Sequence, residues 1–489
     1  MPLKMSPFNS STLWLAPLVL ALSACAVSVP PSAAPSQVAA AWQAPLPAPQ
    51  QTAGAQLPHQ GSLGDLSRWW AAQGDPLLAE LIRQAQAVSP SVASARVRIS
   101  TAQAARTAAG AASLPSLDAA VIANRGPATQ AAGNPLTTTA QAGLQASWEI
   151  DLFGGNRANA SAAAQRLAGA EAGWHEARVS VAAEVAMQYI ALRSCRQLEA
   201  VTRADAQSRA ETARLSRLSG DAAFTPPATV ALASASAAEA NARAVQQRAQ
   251  CAQGTKALVA LTGMAEADLL QALQTPAPTL NLASALPVAS VPAQALAQRP
   301  DVFAAERDVA AASADTGAAQ AQRFPRLSLN GSVGKVSVSS GGDSSTQGAW
   351  SIGPLTLTLP LFDAGRRAAN VRAAEARYTE AVAVYRAQVR QAVREVEDAL
   401  VNLQATAERS TDVQTAVAGY RASFAGTEAR YKAGLASLVE LEDARRALLA
   451  AQFTEASLLQ ERQSAWVALY RAVGGGWTPA ATSVSSAAP

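Results

Sequence analysis

The sequence predicts an α+β chain built twice over, each half running helix, strand pair, long helix, turn, long helix. Three observations predict it. Sequence anchors recur at an offset near 210 residues. Two segments in each half alternate apolar and polar residues, as two-faced strands do. The stretches Gly155 to Ser219 and Ala364 to Lys432 contain no proline, so nothing in them breaks a helix.

The anchors are specific. Pro90-Ser91-Val92 and Leu114-Pro115 return as Pro300-Asp301-Val302 and Phe324-Pro325, offset 210. Asp151-Leu152-Phe153-Gly154 returns as Pro360-Leu361-Phe362-Asp363, offset 209, and Leu258 to Gly263 returns as Leu469 to Gly474, offset 211. Internal repeats of this kind set the whole architecture. Repeat one covers 65–263 and repeat two 296–476, with a Pro-rich linker at 264–295 and a flexible tail at 477–489.

Composition narrows the class. Of 489 residues 49% are hydrophobic, much of that alanine, and 15% are charged. A typical globular chain carries about 25% charged residues. Disorder needs low hydrophobicity and high net charge, and a net charge of +4 supplies neither that nor a basic patch for nucleic acid. Beyond the N-terminus no apolar run reaches the roughly 18 residues of a membrane-spanning helix.

Lys4 and the apolar run Thr12 to Leu22 read as a signal peptide over 1–24. Leu22-Ser23-Ala24-Cys25 resembles a lipobox, which predicts lipidation (palmitate among the acyl groups) at Cys25; the alternative is an ordinary signal with a chance cysteine. Residues 25–64, rich in Pro, Ala, Ser and Gln, read as an extended tether.

Strands are expected near 116–124, 140–153, 326–338 and 350–362. On the second, Ala140, Ala142, Leu144, Ala146, Trp148, Ile150 and Leu152 alternate with Gln141, Gly143, Gln145, Ser147, Glu149 and Asp151. About ten residues with two different faces suit a transmembrane barrel, although a soluble two-faced sheet shares the pattern. Four strands cannot close, and open edges are prohibitive in lipid, so a membrane reading requires oligomerisation. Three or more copies would then enclose a pore.

Long helices are expected at 155–219, 227–262, 364–432 and 436–473. Tyr378, Tyr385, Ala392 and Ala399 with Val382, Val389, Val396 and Leu403 make a heptad seam. The remaining faces are also Ala- and Val-rich. Neighbours on both sides fit a ring of helices; a coiled-coil dimer or a bundle is the alternative.

No catalytic or metal-binding cluster is read. His59 and His175 are the histidines, and neither sits in a metal-ligand spacing. Ala349 to Gly353 falls one residue short of a nucleophile elbow, and Gly334-Lys335 lacks the rest of a phosphate loop. No cofactor, metal or catalysis is expected.

Taken together, Leu22 to Cys25, Arg299-Pro300-Asp301-Val302, Arg323-Phe324-Pro325, Pro360 to Gly365 and Ala472 to Trp477 resemble the TolC family of outer-membrane factors, in its OprM/NodT-type lipoprotein branch. The resemblance implies a homotrimer with a 12-stranded outer-membrane β-barrel, four strands per chain. A 12-helix periplasmic α-barrel and a mixed equatorial region continue it. It implies an outer-membrane duct of a tripartite efflux pump, with a periplasmic membrane-fusion adaptor, an inner-membrane RND-type pump and outer-membrane lipid as partners. A type I protein secretion duct and a non-conducting structural lipoprotein are the alternatives.

By the same resemblance, Arg217, Leu218, Ser219 and Gly220 in one turn and Ala433, Gly434 and Leu435 in the other are adaptor-docking tips. Alanine at 433 departs from the family's valine. Gly220 and Gly434 are expected to end helices in the left-handed conformation, and that role alone is the alternative. Glu440 and Asp443, with Tyr431 as a latch, are expected at the periplasmic gate. The alternative is helix-start acids, with Asp443 paired to Arg446. Helices ending at Ser219 and starting at Pro227 would put Cys195 and Cys251 each 24 residues from the tip. In an oxidising compartment that predicts a Cys195–Cys251 disulfide, against two buried thiols.

Overall fold

The computed structural model describes residues 27, 29–35, 41–44, 70–71, 73–127, 136–276, 296–340 and 343–477. Cys25, the signal segment, most of the tether, 277–295 of the linker and 478–489 of the tail lie outside the described residues. The element order is α1 (Pro76–Val88), α2 (Pro90–Ala111), β1 (Ser116–Pro127), β2 (Leu136–Ile150), α3 (Gly155–Asp221), α4 (Pro227–Thr262), α5 (Glu266–Ala272), α6 (Pro300–Ala321), β3 (Arg326–Ser340), β4 (Asp343–Thr358), α7 (Arg366–Lys432) and α8 (Leu438–Ala472). Two compact units divide the chain: one of residues 1–35, 98–170 and 305–385, the other of 36–97, 171–304 and 386–489.

The first unit holds one antiparallel sheet of order β1-β2-β3-β4. The strands of the two repeats are thus joined through β2 and β3. Directly opposed residues share a face. Leu117, Ala119 and Val121 therefore lie with Ala142, Leu144, Ala146, Trp148 and Ile150, and these with Leu327, Leu329 and Val333. On β4, Trp350, Ile352, Leu355 and Leu357 continue that face. Ile352 and Leu355 are three residues apart, which alternation alone would put on opposite faces. A bulge at Gly353-Pro354, opposite Leu329 to Gly331, restores the register.

The strands differ from expectation at their ends. β1 and β3 run on to Pro127 and Ser340, β2 starts at Leu136 and stops at Ile150, and β4 starts at Asp343. Short polar residues such as Thr137 to Thr139 and Ser344 to Gln347 look like loop, yet their backbones pair in full register. β4 stops at Thr358 because its partner Arg326 begins β3, so Leu359 to Phe362 have nothing to pair with.

α7 begins at Arg366 because Ala364 (φ 54°) and Gly365 (φ 87°) are left-handed. The Asp363 carboxylate accepts from the N–H groups of Gly365 and Arg367 there. Also within the first unit, Phe153 stacks on Phe324 at 4.9 Å, joining the repeat-related anchor segments.

The second unit carries the larger core. Asp75 caps α1, accepting from the N–H groups of Leu77 and Leu78, and its second oxygen accepts from the Tyr189 hydroxyl at 2.5 Å. Trp70 meets Tyr470 edge-on at 5.0 Å. Burial pushes the Arg178 guanidinium down to about 10, and it lies 4.9 Å over the Trp174 ring.

Arg299 and Asp301 of one motif meet the Ala472 to Trp477 motif here. The buried Arg299 donates to both Asp301 oxygens at 2.9 and 2.6 Å and to the Ala472 carbonyl at 2.8 Å, and pairs with Glu395 at 2.9 Å. Burial works to raise the Asp301 carboxyl, but Arg299, Gln388 and the Val302 N–H hold it below the usual carboxylate range. Gly474 is left-handed (φ 84°), and a Cβ there would stand 2.2 Å from the Gln298 carbonyl oxygen.

Three expectations are corrected in this unit. The linker's first part forms α5, capped on the core by buried Leu269 and Leu273. Trp477 is not flexible tail: it is buried and packs against Phe303 at 5.2 Å. Trp42 and Ala44 of the tether are buried too, because the Glu397 carboxylate accepts the N–H groups of Gln43 and Ala44 at 2.7 and 2.8 Å.

Gly143 and Gly334 are directly opposed on the polar face of the sheet. A Cβ on Gly334 would lie 2.5 Å from the Ala142 carbonyl oxygen, whereas one on Gly348 would meet nothing within 4 Å. Gly334→Ala is expected to destabilise by about 1–3 kcal/mol, the usual overpacking range. Gly348→Ala is the matched control, and urea unfolding of the two variants side by side reads the difference.

Candidate functional site at the helix turns

Two turns in the second unit join the long helices, α3 to α4 and α7 to α8. In the first, Ala223 is left-handed (φ 62°), and the Phe224 N–H donates to the Ser219 carbonyl at 2.9 Å. In the second, Gly434 is left-handed (φ 73°), and the Leu435 N–H donates to the Arg430 carbonyl at 2.8 Å. Both are the six-to-one bond of a Schellman turn. Ala223 and Gly434 are 211 residues apart, the offset of the repeat's last anchor, so the turns are copies.

Gly220 therefore does not end its helix, contrary to expectation. α3 continues to Asp221, and Arg217, Leu218, Ser219 and Gly220 lie in its last turns. Gly220 serves close approach instead: a Cβ there would sit 2.6 Å from Val230 Cγ2 of α4. Ser219 accepts from the Thr225 hydroxyl at 2.7 Å, which braces the turn. Ala433, Gly434 and Leu435 occupy the second turn and are exposed.

The turns present apolar surface. Leu218 is 55% exposed, Phe224 85%, Leu435 71% and Val439 53%. Phe224 and Leu435 hold equivalent places in the two turns. A residue there usually packs back on its own helix; here both face outward. Phe224 and Val439 escaped the sequence reading, although a bulky apolar residue just past a helix end is a readable sign.

Ser437 caps α8 with a full capping box, its hydroxyl accepting from the Glu440 N–H at 3.2 Å while the Glu440 carboxylate accepts from the Ser437 N–H at 2.6 Å. Those bonds hold the Glu440 carboxyl below its ordinary range. Asp443 pairs with Arg446 at 3.3 Å, and both are well exposed. Tyr431 packs on the small apolar cluster of Ala213, Ala233, Leu438 and Leu441 beneath the turns.

Below that cluster lies an ionic network that sequence reasoning missed. Glu442 is buried and pairs with Arg209 of α3 and, at 2.8 Å, with Arg445. Arg209 also chelates Asp205 at 3.0 Å, and donates to the Ser236 hydroxyl of α4 at 2.7 Å. Ser236 in turn donates to Glu442 at 2.6 Å. Arg445 reaches back to Thr212 and Ser208 of α3 at 3.1 and 2.9 Å. One carboxylate thus ties α3, α4 and α8 together. Glu442 and Arg445 follow Leu438 and Leu441 at helical spacing, so charges on an otherwise apolar stripe were the available signal.

Cys195 and Cys251 are joined by a disulfide between α3 and α4, with Cα atoms 5.6 Å apart. Among the described residues, no group of His, Cys, Asp and Glu has a metal-holding arrangement.

Glu442→Ala is expected to destabilise by about 3–5 kcal/mol, because it leaves buried guanidinium groups without their counter-charge. Denaturant unfolding followed by circular dichroism measures it. Ala223→Gly removes the left-handed strain of a residue with a Cβ, and the same assay should show a gain of about 1 kcal/mol.

The family model for "Outer membrane efflux protein" matches this chain over residues 81–264 and again over 291–475. The chain is 32% identical to the outer membrane protein OprJ of Pseudomonas aeruginosa, covering 94% of this chain and 95% of that one. It is 31% identical to the pyoverdine export outer membrane protein OpmQ of Pseudomonas putida, covering 95% and 97%. The solved structure of the outer-membrane channel OprN superposes with a TM-score of 0.76 at 29% identity, covering 89% of this chain and 99% of that chain. A duplicated α+β chain with a four-stranded sheet and paired long helices, matched along both repeats, belongs to the outer membrane efflux protein family: it is an outer-membrane efflux channel protein with the fold of that family's trimeric channels.

Proposed function

We propose that three copies of this chain close a passive exit duct, which works as the outer-membrane part of a tripartite efflux pump and releases small toxic compounds. The observation that carries the proposal is the sheet: four strands, both edges open among the described residues, and one face apolar across all four strands over its helix-proximal half. In lipid such edges must be paired. Joining β4 of one copy to β1 of the next pairs them all, with apolar residues turned to lipid and Gln141, Gln145, Asn330 and Thr356 turned to the lumen.

The exposed apolar residues at the two turns, Leu218, Phe224, Leu435 and Val439, supply a docking surface for a periplasmic membrane-fusion adaptor. Arg217 adds a charge beside it. An inner-membrane RND-type pump supplies the energy. A lipid on Cys25 anchors the N-terminus in the outer membrane.

Glu440 and Asp443 form the periplasmic gate. Their carboxylates are exposed in the single chain, and threefold symmetry brings three of each around the axis. The Ser437 cap holds the Glu440 carboxyl below its ordinary range, and a ring of carboxylates on the axis draws cations. Tyr431, packed at the base of the same turn, latches the closed state. Cargo differs among relatives and is set in the pump: OpmQ's name gives pyoverdine.

In planar bilayers the protein is expected to conduct with cation preference. Glu440→Ala/Asp443→Ala should raise the conductance and reduce that preference, and an unchanged channel would sink the gate. Deletion of the protein should sensitise the cell to toxic compounds. A structural bridge predicts neither conductance nor sensitivity.

A further inference from the structure

The four strands contain six charged residues: Asp118, Arg125, Glu149, Arg326, Lys335 and Asp343. Their distribution over the two faces is one-sided. Arg125 is opposite Thr138, and Lys335 is opposite Ala142 and Gly348, which places both on the face of Leu117, Val121, Leu144 and Trp350. Asp118, Glu149, Arg326 and Asp343 all fall on the other face. The apolar face therefore carries two cations and no anion. Both cations are exposed, and neither makes an ion pair with any described residue.

Their height on the sheet is also one-sided. Arg125 lies beside the end of β1 that leads into the hairpin connection, and Lys335 lies past the middle of β3; both are nearer the hairpin ends than the strand ends that follow α2 and α6. Below them the face is apolar, through the rows of Trp350 and Ile352 to Leu357. At the helix-proximal rim, Leu117, Trp148 and Leu327 carry no charge at all. A cation on a lipid-facing barrel wall is costly at the bilayer centre and tolerated near the interface. Lys and Arg keep apolar stems against such a wall and extend their heads into the headgroup layer.

We propose that Arg125 and Lys335 form a cationic site, on the lipid-facing wall of the barrel, for the phosphates of a bisphosphorylated glycolipid headgroup in the outer leaflet. The proposal rests on the barrel reading given above, in which the helices lie in the periplasm and the hairpin ends face outward. Charge complementarity and position choose this occupant. Among the strand residues, the lipid-facing side has no cation at its helix-proximal end, on the inner leaflet, and two toward its hairpin end, on the outer leaflet with its phosphorylated glycolipid. Arg125 and Lys335 stand two strands apart, about 10 Å across the sheet and about 13 Å along it. Two long side chains over that span can hold two phosphates of one headgroup, and threefold symmetry repeats the site around the barrel.

The test uses the full-length trimer in detergent and native mass spectrometry with two probes, bisphosphorylated lipid A and a phosphatidylglycerol. Lipid A should be retained in preference to phosphatidylglycerol. Arg125→Gln/Lys335→Gln should lower lipid A retention at least about tenfold, the factor for losing a single charge-assisted contact. Arg125→Lys/Lys335→Arg should keep it. Undiminished retention in the glutamine variant overturns the proposal, and so does equal retention of phosphatidylglycerol by the unaltered protein. Arg125→Gln and Lys335→Gln are also made singly; no loss in either overturns it as well, whether or not the double variant assembles. Bilayer conductance separates the two readings. A protein that conducts but shows no lipid preference loses only this site, and one that never conducts loses the barrel.

Discussion

The structure depends on the unpaired backbone at the two edges of a four-stranded sheet. Among the described residues, β1 has a neighbour only in β2, and β4 only in β3. In water such edges invite aggregation; in hydrocarbon each orphaned N–H and C=O costs several kcal/mol. The remedy is another copy offering the opposite edge, a head-to-tail contact that closes into a ring when the rotation permits. The polar face then lines an interior, the apolar face meets lipid, and the channel exists only at the level of the assembly.

The same incompleteness shows on the helices. On α7 one seam is closed within the second unit: Val389, Ala392, Val396, Ala399 and Leu403 are buried. On other faces of that helix, Val384 and Val401 remain 56% and 55% exposed. A helix that satisfies one seam internally and leaves a second bare is built to stand between two neighbours. Alanine and valine at these seams let backbones approach closely, which is why the chain is rich in small apolar residues and poor in charge.

Much of this was legible because it rests on periodicity. Alternation marked the strands, absence of proline marked the long helices, and the offset near 210 joined Pro90 to Pro300 and Leu258 to Leu469. Strand ends were not legible, since Thr137 to Thr139 and Ser344 to Gln347 pair through backbone groups that every residue carries. Gly220 misled for a related reason. Glycine serves both left-handed backbone and close packing, and only the repeat offset shows that Ala223, not Gly220, matches Gly434. The tether misled through composition: Pro and Ala around Trp42 read as solvated linker, yet two N–H groups beside it found the Glu397 carboxylate.

The turns combine two electrostatic designs a few residues apart on α8. Glu440 and Asp443 are exposed, one bonded to the Ser437 cap and the other paired with Arg446 of the same helix. Glu442 lies between them in sequence but on the opposite side, buried, with both oxygens committed to Arg209, Ser236 and Arg445. A buried ion pair adds little net stability over a well-packed apolar one, because desolvation offsets the attraction. What it adds is register: a carboxylate that must meet two guanidinium groups and a hydroxyl on three helices admits one alignment, whereas alanine against alanine slides. In a helix pair lined with small residues, that single fixed point keeps the outward acids at a defined height beside the turn. The gate proposed at Glu440 and Asp443 would therefore rest on Glu442, a buried residue on the other side of the helix.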